Sequence, residues 1–283
     1  MNPNEYILTQ VNPKPTFTFY FLRHGYACNN LLNNKKEQNY SFKIKKDSND
    51  FKLSKKGINE TQNVKELLVQ LNDKIHLIGC SPLLRCIETA HYLRYNDSKP
   101  IYVFPYLREI NESNLNINSF DNYSKEYGLS EEINVRPELS MKNIKTQTEF
   151  LQNNNIRNIN FDYINDKLRY EPGNIENFIY WFFAVFNKDE NITTDKNILI
   201  ITHSGVLRQF FMKSNKKDFL FNNNNGIKIT CNNEGIITSS KIINWDVDRS
   251  RNIKDDSCDE YIDNIDETDN KKSNILGNLF KRS

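Results

Sequence analysis

The sequence carries almost no net charge, because 38 Lys and Arg residues are balanced by 36 Asp and Glu residues, for a formal charge of +2. A protein that binds nucleic acid through its overall field needs a clear cationic excess, so only local cationic patches remain possible and we expect no nucleic-acid partner. Long hydrophobic runs are missing too. No apolar stretch approaches the roughly 18 residues that a membrane span needs, so we expect no membrane partner.

Cysteine is also scarce, with five residues in the chain and no CxxC pair among them. This spacing predicts neither a zinc ribbon nor a disulfide framework. It indicates free thiols in a reducing compartment. The N-terminal segment is polar and lacks the apolar core of a signal peptide, so the sequence predicts a cytoplasmic protein.

Asparagine is abundant by contrast, and it forms runs at 153–155 and 222–225. Such runs are typical of low-complexity loops, and we interpret them in that way.

Apolar patterning indicates the fold class. Short, continuous apolar runs predict buried strands at 17–22, 75–80, 101–104 and 197–201. Helical spacing predicts helices at 57–71, from Ser81 onward and at 174–186. Two later strands joined by a turn are predicted at 227–231 and 236–242. Strands that alternate with helices predict an α/β fold: three-layer, doubly wound, with a mostly parallel central sheet flanked by helices.

Two serines are predicted to begin helices. Ser54 can cap the helix at 57–71, and Ser81 can act as the N-cap of the next helix with Pro82 in its first turn.

Composition predicts a single catalytic domain at 17–248. A polar lead-in precedes it at 1–16, and an Asn-rich insertion with some helix near its end interrupts it at about 112–167. The tail at 249–283 is highly charged, so it is predicted to be disordered.

Residues that can act on phosphate follow the predicted strands. Arg23 and His24 follow the first strand, Arg85 comes shortly after the second, Glu109 follows the third, and His203 lies just past the fourth. In a mostly parallel sheet the carboxyl ends of the strands meet at one edge, where ligand sites form. The sequence therefore predicts one shared site.

The motifs that carry these residues are Arg-His-Gly at 23–25, Ser-Pro-Leu-Leu-Arg at 81–85 running to Thr-Ala at 89–90, Leu-Arg-Glu-Ile at 107–110 and Ile-Thr-His-Ser-Gly at 201–205. Together and in this order they resemble the histidine phosphatase superfamily, in its phosphoglycerate-mutase-like branch (branch 1). The resemblance spans about 17–211 and is loose from about 112 to 165.

The resemblance implies a role for each residue. His24 is expected to attack phosphorus and form a phosphohistidine. Arg23 and Arg85 would bind the phosphoryl oxygens through their planar guanidinium groups. His203 would be a further catalytic donor, and Glu109 would protonate the leaving oxygen.

Three further residues are implied less directly. Glu112 is an alternative to Glu109 as general acid, and Asn30 and Ser204 are expected to contact phosphate. With three cationic donors, and without a carboxylate cluster placed to hold magnesium, we expect neither a metal nor another cofactor. Cys28 and Cys86 flank motif residues but have no paired base in the sequence, so we interpret both as packing residues.

The sequence departs from the mutases of this family, since Tyr26 stands where they typically have glutamate and their proline-rich segment is missing. These departures favour a metal-independent phosphatase that hydrolyses a phosphomonoester. A cofactor-dependent phosphoglycerate mutase and a catalytically decayed phospho-ligand-binding or scaffold protein remain alternatives. The expected partner is a phosphorylated substrate, either a small metabolite or a phosphoprotein; the oligomeric state is not predicted.

Overall fold

The computed structural model describes residues 14–37, 43–44, 50–72, 74–96, 98–109, 141–160, 174–186, 194–215, 219–245 and 258–263. Among these residues, no helix is both long enough and apolar enough to cross a membrane.

Within these residues the strands are β1 (Phe17–Arg23), β2 (Lys43–Ile44), β3 (Ile75–Cys80), β4 (Ile101–Val103), β5 (Ile159–Asn160), β6 (Lys196–Thr202), β7 (Gly226–Cys231), β8 (Ile237–Ile243) and β9 (Ile262–Asp263). The helices are α1 (Cys28–Glu37), α2 (Lys55–Asn72), α3 (Leu84–Leu93), α4 (Met141–Asn153), α5 (Ile175–Trp181) and α6 (Ser204–Asn215). A π-helical turn (Phe182–Phe186) continues α5, and 3-10 turns lie at Pro105–Leu107 and Asp259–Tyr261.

The central sheet has seven strands in the order β5-β4-β3-β6-β1-β7-β8. Neighbouring strands from β5 to β1 are parallel. The last two strands, β7 and β8, run antiparallel to their neighbours and complete one edge. The predicted mostly parallel sheet is therefore confirmed.

Alternating side chains of β1 divide the core into two halves. Phe17, Phe19 and Phe21 pack on one face of the sheet with α5 and α6. Tyr20 and Leu22 pack on the other face with α2, α3 and α4. Because successive side chains of a strand point to opposite faces, a continuous apolar run is the pattern of a strand buried on both sides. The predicted three-layer arrangement is confirmed.

The start of α2 agrees with the prediction. The Ser54 side chain accepts a hydrogen bond from the backbone N–H of Gly57 at 3.1 Å, which satisfies one of the donors that the first turn leaves unpaired.

The start of α3 differs from the prediction. The helix begins at Leu84 with Leu83 as its N-cap, so Ser81 is not the cap. A carboxylate from another part of the chain takes that role, because Asp50 Oδ1 accepts a hydrogen bond from the Leu84 N–H at 2.7 Å. The negative charge also complements the positive end of the helix.

Part of the predicted insertion belongs to the central fold. β5 pairs in parallel with β4, with Ile159 opposite Ile101, and extends the sheet by one strand. The helix α4 precedes it, and its Leu151 packs into the core. The remainder of the predicted insertion, at 112–140 and 161–167, lies outside the described residues.

The expectation that all the thiols are free is wrong. Cys28, at the start of α1, forms a disulfide with Cys258, with their Cα atoms 5.4 Å apart. No CxxC spacing pointed to this pair, since 230 residues separate the two cysteines. Cys28 is thus a cross-link as well as a packing residue. Because structural disulfides are rare in the cytosol, the bond weighs against the reducing compartment predicted from the sequence.

The predicted disorder of the tail is also wrong for the segment that follows Cys258. The Tyr261 hydroxyl accepts a hydrogen bond from the Lys52 N–H at 3.2 Å, and Glu260 forms an ion pair with the Lys52 side chain at 2.9 Å. The Tyr261 ring lies 4.8 Å from that of Phe51, and β9 pairs with β2. We call residues 258–263 the C-terminal strap. The other residues of the tail, 249–257 and 264–283, lie outside the described residues.

Candidate active site

The sheet brings the four motifs to one edge. Strands β1 and β6 end in register, with Arg23 opposite Thr202. Cys80, the last residue of β3, lies opposite Ile201 of β6 and Val103 of β4. Each motif follows the carboxyl end of one of these strands, so residues far apart in the sequence become neighbours.

The His24 imidazole is held by its Nδ1 atom. Nδ1 lies 2.7 Å from the backbone oxygen of Gly25, and the ring is buried. A carbonyl oxygen can only accept, so Nδ1 carries the proton and Nε2 keeps its lone pair. Arg85 Nε donates to that Nε2 atom at 3.3 Å, which requires the same tautomer. The unprotonated nitrogen therefore faces a guanidinium group.

His24 is electrostatically held in its neutral form. Burial is the main cause that lowers its pKa well below the usual 6.5, and the positive charges of Arg85 and Arg23 lower it further. The hydrogen bond to Gly25 acts in the opposite direction but does not offset these effects. A neutral imidazole that keeps the lone pair on one nitrogen is the form that can act as a nucleophile.

The turn after β1 is fixed against α3. Gly25 N–H donates to Thr89 Oγ1 at 2.9 Å, and the Thr89 hydroxyl donates to the Arg85 carbonyl at 2.6 Å. A Cβ atom on Gly25 would lie 2.4 Å from Thr61 Oγ1, so a side chain would push the turn out of place. These contacts give a structural reason for glycine and threonine in the motifs.

The second histidine of the site, His203, has Nδ1 near Arg85, whereas Nε2 contacts a serine. His203 is fully buried, and its Nε2 lies 2.7 Å from the Ser81 hydroxyl. Its Nδ1 lies 3.4 Å from Arg85 Nη2 and 3.8 Å from Glu109 Oε2. The His24 and His203 rings are 5.3 Å apart between centroids. Arg85 thus lies between the two imidazoles and contacts both of them.

Cys86 has a histidine beside it, which its sequence context did not indicate. Its Sγ lies 3.5 Å from His203 Nε2 and 3.6 Å from the Thr202 carbonyl. Burial raises the pKa of the Cys86 thiol far above its usual value, which keeps it protonated. Cys86 is therefore still interpreted as a packing residue, but the reason is that its thiol stays protonated. A neighbouring base is present after all.

Glu109 lies at the rim of the same site. The segment that carries it is tied to β6, because the Thr202 hydroxyl donates to the Leu107 carbonyl at 2.8 Å. The Glu109 side chain is 18% exposed, so it can reach both His203 and solvent. The alternative acid Glu112 lies outside the described residues.

The remaining predicted residues surround this centre. Arg23 is half-buried, and its Nη1 donates to the Phe221 carbonyl at 2.7 Å. Asn30 Oδ1 accepts a hydrogen bond from Ala27 N–H at 3.1 Å. Ser204 is half-buried and begins α6 directly after His203.

The asparagine run at 222–225 is a loop, as predicted, but sequence reasoning missed that part of it is buried beside β1. Asn224 and Asn225 are buried. Asn224 N–H donates to the Arg23 carbonyl at 3.0 Å, and the Asn225 carbonyl accepts from Arg23 N–H at 2.8 Å. Asn224 has φ of 63°, a left-handed conformation that asparagine adopts more readily than most residues. The available signal in the sequence was that the asparagine run lies directly before the predicted strand at 227–231.

In the part of the chain that the structure describes, no group of three or more His, Cys, Asp or Glu side chains is arranged to hold a metal ion.

Two histidines and an arginine thus lie together at the carboxyl ends of the parallel strands. Residues 19–137 match the model of the histidine phosphatase superfamily (branch 1). The resemblance seen in the motifs is thereby confirmed. The matched segment contains Arg23, His24, Arg85 and Glu109, whereas His203 lies beyond it.

Solved structures with a similar fold have low sequence identity. The ecdysone phosphate phosphatase from Bombix mori, in complex with tungstate, is 15% identical, with 90% of this chain and 99% of that chain covered and a TM-score of 0.45. The phosphoglycerate mutase from Bacillus anthracis is 20% identical (84% and 96% covered, TM-score 0.43). The α-ribazole phosphatase from Shigella flexneri is 16% identical (84% and 99% covered, TM-score 0.42). No curated protein matches the chain.

Proposed function

We propose that this protein is a phosphatase that hydrolyses a phosphomonoester, without a metal ion, through a phosphohistidine on His24. The observation that carries the proposal is the neutral, tautomer-fixed His24, whose Nε2 lone pair lies 3.3 Å from the Arg85 guanidinium. A nucleophile and an anion-binding group therefore lie next to each other, so one phosphoryl group can contact both.

The first step transfers the phosphoryl group to the protein. His24 Nε2 attacks phosphorus, and the bond to the ester oxygen breaks in line with the new bond. Arg85 and Arg23 stabilise the charge on the equatorial oxygens, and His203 Nδ1 becomes a further donor when it takes up a proton in the presence of the dianion. These three groups supply positive charge of the kind that metal ions supply in other phosphoryl-transfer sites.

The leaving oxygen needs a proton, and Glu109 is the candidate donor. Its carboxylate lies 3.8 Å from His203 Nδ1 and is partly open to solvent. In the second step the ionised Glu109 accepts a proton from the water that attacks phospho-His24. One residue thus acts first as acid and then as base.

Tyr26 supports a phosphatase over a mutase. It stands where mutases of this family have glutamate, and its hydroxyl accepts a hydrogen bond from Asn34 Nδ2 at 2.6 Å. The Lys56 ammonium lies 5.3 Å from the centre of its ring. These contacts fix a bulky aromatic residue next to the catalytic turn. The segment that would close over a mutase substrate, beyond Glu109, lies outside the described residues.

Purified protein should release inorganic phosphate from p-nitrophenyl phosphate and from alkyl phosphomonoesters in buffer that contains EDTA. A panel of phosphorylated metabolites and one phosphopeptide would then identify the substrate class. Turnover that EDTA abolishes and magnesium restores would contradict the metal-independent mechanism. Conversion of 3-phosphoglycerate that requires 2,3-bisphosphoglycerate would indicate the mutase alternative. A complete lack of turnover, with intact phosphate binding, would indicate the scaffold alternative.

We expect Glu109→Gln to slow hydrolysis of an alkyl phosphate about a hundredfold and that of p-nitrophenyl phosphate far less. A good leaving group departs without a proton, so the general acid matters mainly for the alkyl substrate. Both substrates still need the residue as base in the second step, so some loss on the aryl substrate is also expected. The ratio of kcat/KM values for the two substrates is the measurement.

Glu112→Gln is the matched control for this test. If it reproduces the substrate-dependent loss while Glu109→Gln leaves both rates unchanged, the general acid is Glu112.

A further inference from the structure

Asn223 contacts the catalytic turn through a single side-chain atom. Its Nδ2 lies 2.9 Å from the His24 carbonyl, 3.1 Å from the Gly25 carbonyl and 3.4 Å from Asn30 Oδ1. All three partners are acceptors, so the amide is oriented with its NH2 group toward the turn. The Gly25 carbonyl is the same atom that accepts the Nδ1 proton of His24.

The backbone around Asn223 is held close to β1. Asn224 N–H and the Asn225 carbonyl pair with the backbone of Arg23 on one side of it. Gly226, the first residue of β7, follows, and a Cβ atom there would lie 1.8 Å from the Phe21 carbonyl. This close approach of backbone to backbone fixes where the Asn223 amide can reach. The backbone pairing with β1 therefore sets the contact between the Asn223 amide and the turn.

The direction of the Gly25 carbonyl affects which nitrogen of His24 carries the proton. The carbonyl must point at His24 Nδ1 in order to keep the proton on that nitrogen and the lone pair on Nε2. A peptide carbonyl at a turn can rotate with its backbone, so a second donor on the same oxygen restrains it. Because Asn223 Nδ2 donates to both the His24 and the Gly25 carbonyls, it also offsets the repulsion between the dipoles of these two neighbouring groups.

We propose that Asn223 is a positioning residue for the nucleophile: its Nδ2 fixes the Gly25 carbonyl, which together with the Arg85 donor at Nε2 sets the Nδ1–H tautomer of His24 and directs Nε2 toward the substrate phosphate. This inference rests on the proposed function, in which His24 is phosphorylated. It gives a positioning role to a residue in an asparagine run whose composition indicated a loop.

Asn223→Ala and the isosteric Asn223→Asp test the proposal, with Asn222→Ala as matched control. Asn222 is the exposed neighbour in the same run. Asn223→Asp keeps the shape of the side chain but replaces the donor by an acceptor. We expect both Asn223 variants to lower kcat roughly tenfold with little change in KM, the size expected for one hydrogen bond in the reacting centre. Asn222→Ala should match the wild type.

The second measurement reports on the tautomer directly. In 15N NMR spectra of ring-labelled protein, His24 of the wild type should show a protonated Nδ1 and an unprotonated Nε2, with the signals assigned by their loss in His24→Ala. In both Asn223 variants these signals should move partway toward the other tautomer, because Arg85 Nε still donates to His24 Nε2 and opposes a complete change. A packing defect alone would not produce that change.

The outcomes separate this inference from the proposed function. A fall in kcat together with a mixed tautomer supports the role of Asn223. Wild-type kcat and tautomer in both variants overturn it, and so does a loss of activity with an unchanged tautomer. If the wild type hydrolyses no phosphomonoester, the proposed function fails, and the NMR result alone then decides whether Asn223 sets the tautomer.

Discussion

His24→Ala is expected to lower the phosphatase activity by about three orders of magnitude or more, since covalent catalysis has no substitute nucleophile at this position. The other imidazole in the site, His203, keeps Nε2 on Ser81 and offers only Nδ1 to the substrate. Loss of a nucleophile typically costs several orders of magnitude in kcat, well beyond the effect of one lost hydrogen bond. The fold should persist, because the backbone of the turn is held by bonds that do not involve the imidazole, such as His24 N–H to the Thr202 carbonyl at 2.9 Å.

Two measurements check this expectation. The first is kcat/KM on p-nitrophenyl phosphate for His24→Ala and for His76→Ala, a control that removes an exposed imidazole on β3. The second is trapping of an acid-labile, alkali-stable phosphate label on the protein during turnover. The label should be present on the wild type and on His76→Ala and missing from His24→Ala. A His24→Ala protein that keeps a tenth of the wild-type rate would refute the phosphohistidine mechanism.

The double variant Cys28→Ser/Cys258→Ser is expected to lose about 2–5 kcal/mol of unfolding free energy, the range typical of a native disulfide. The bond joins two cysteines that are 230 positions apart in the sequence, so it strongly restricts the unfolded chain. For a domain of this size the loss corresponds to a fall in Tm of roughly 5–15 °C. This expectation departs from the sequence prediction of a disordered tail at 249–283, because a disordered tail would contribute nothing to stability.

The disulfide should also matter for the site, because the C-terminal strap holds the segment at 50–53. Lys52 and Phe51 contact the strap. The next residue, Leu53, donates its N–H to Oε2 of the buried Glu88 side chain at 2.6 Å, and Asp50 caps α3, the helix that carries Arg85. Release of the strap would loosen these supports together. We therefore expect activity to fall with stability in the double variant.

Calorimetry of the wild type with and without a phosphine reductant provides the matching test. Reduction should lower the wild-type Tm by about as much as the double substitution does and should not affect the double variant. Thiol titration of the denatured, unreduced wild type should count three free cysteines, namely Cys80, Cys86 and Cys231. A count of five, or a Tm that does not respond to reduction, would show that the bond is not formed.

Patterns within short segments were sufficient to predict the layers of the fold. The continuous apolar run of β1 indicates a strand buried on both faces, and the spacing of Val64 and Leu68 indicates the buried stripe of α2. The motifs also predicted that Arg23, His24 and Arg85 would meet, because the carboxyl ends of parallel strands share one edge. These inferences succeed because residue spacing along one element fixes which side chains share a face.

Contacts between distant segments could only come from the tertiary structure. Whether Cys28 meets Cys258 depends on how the chain returns to α1 after 230 residues, and no local spacing encodes that return. The same holds for Asp50 as the cap of α3 and for Asn223 on the Gly25 carbonyl. Sequence by itself determined which chemical groups are available and on which elements they lie. Folding decided their partners, because hydrogen bonds and disulfides require atoms within a few ångströms of one another, and only the packed chain sets those distances.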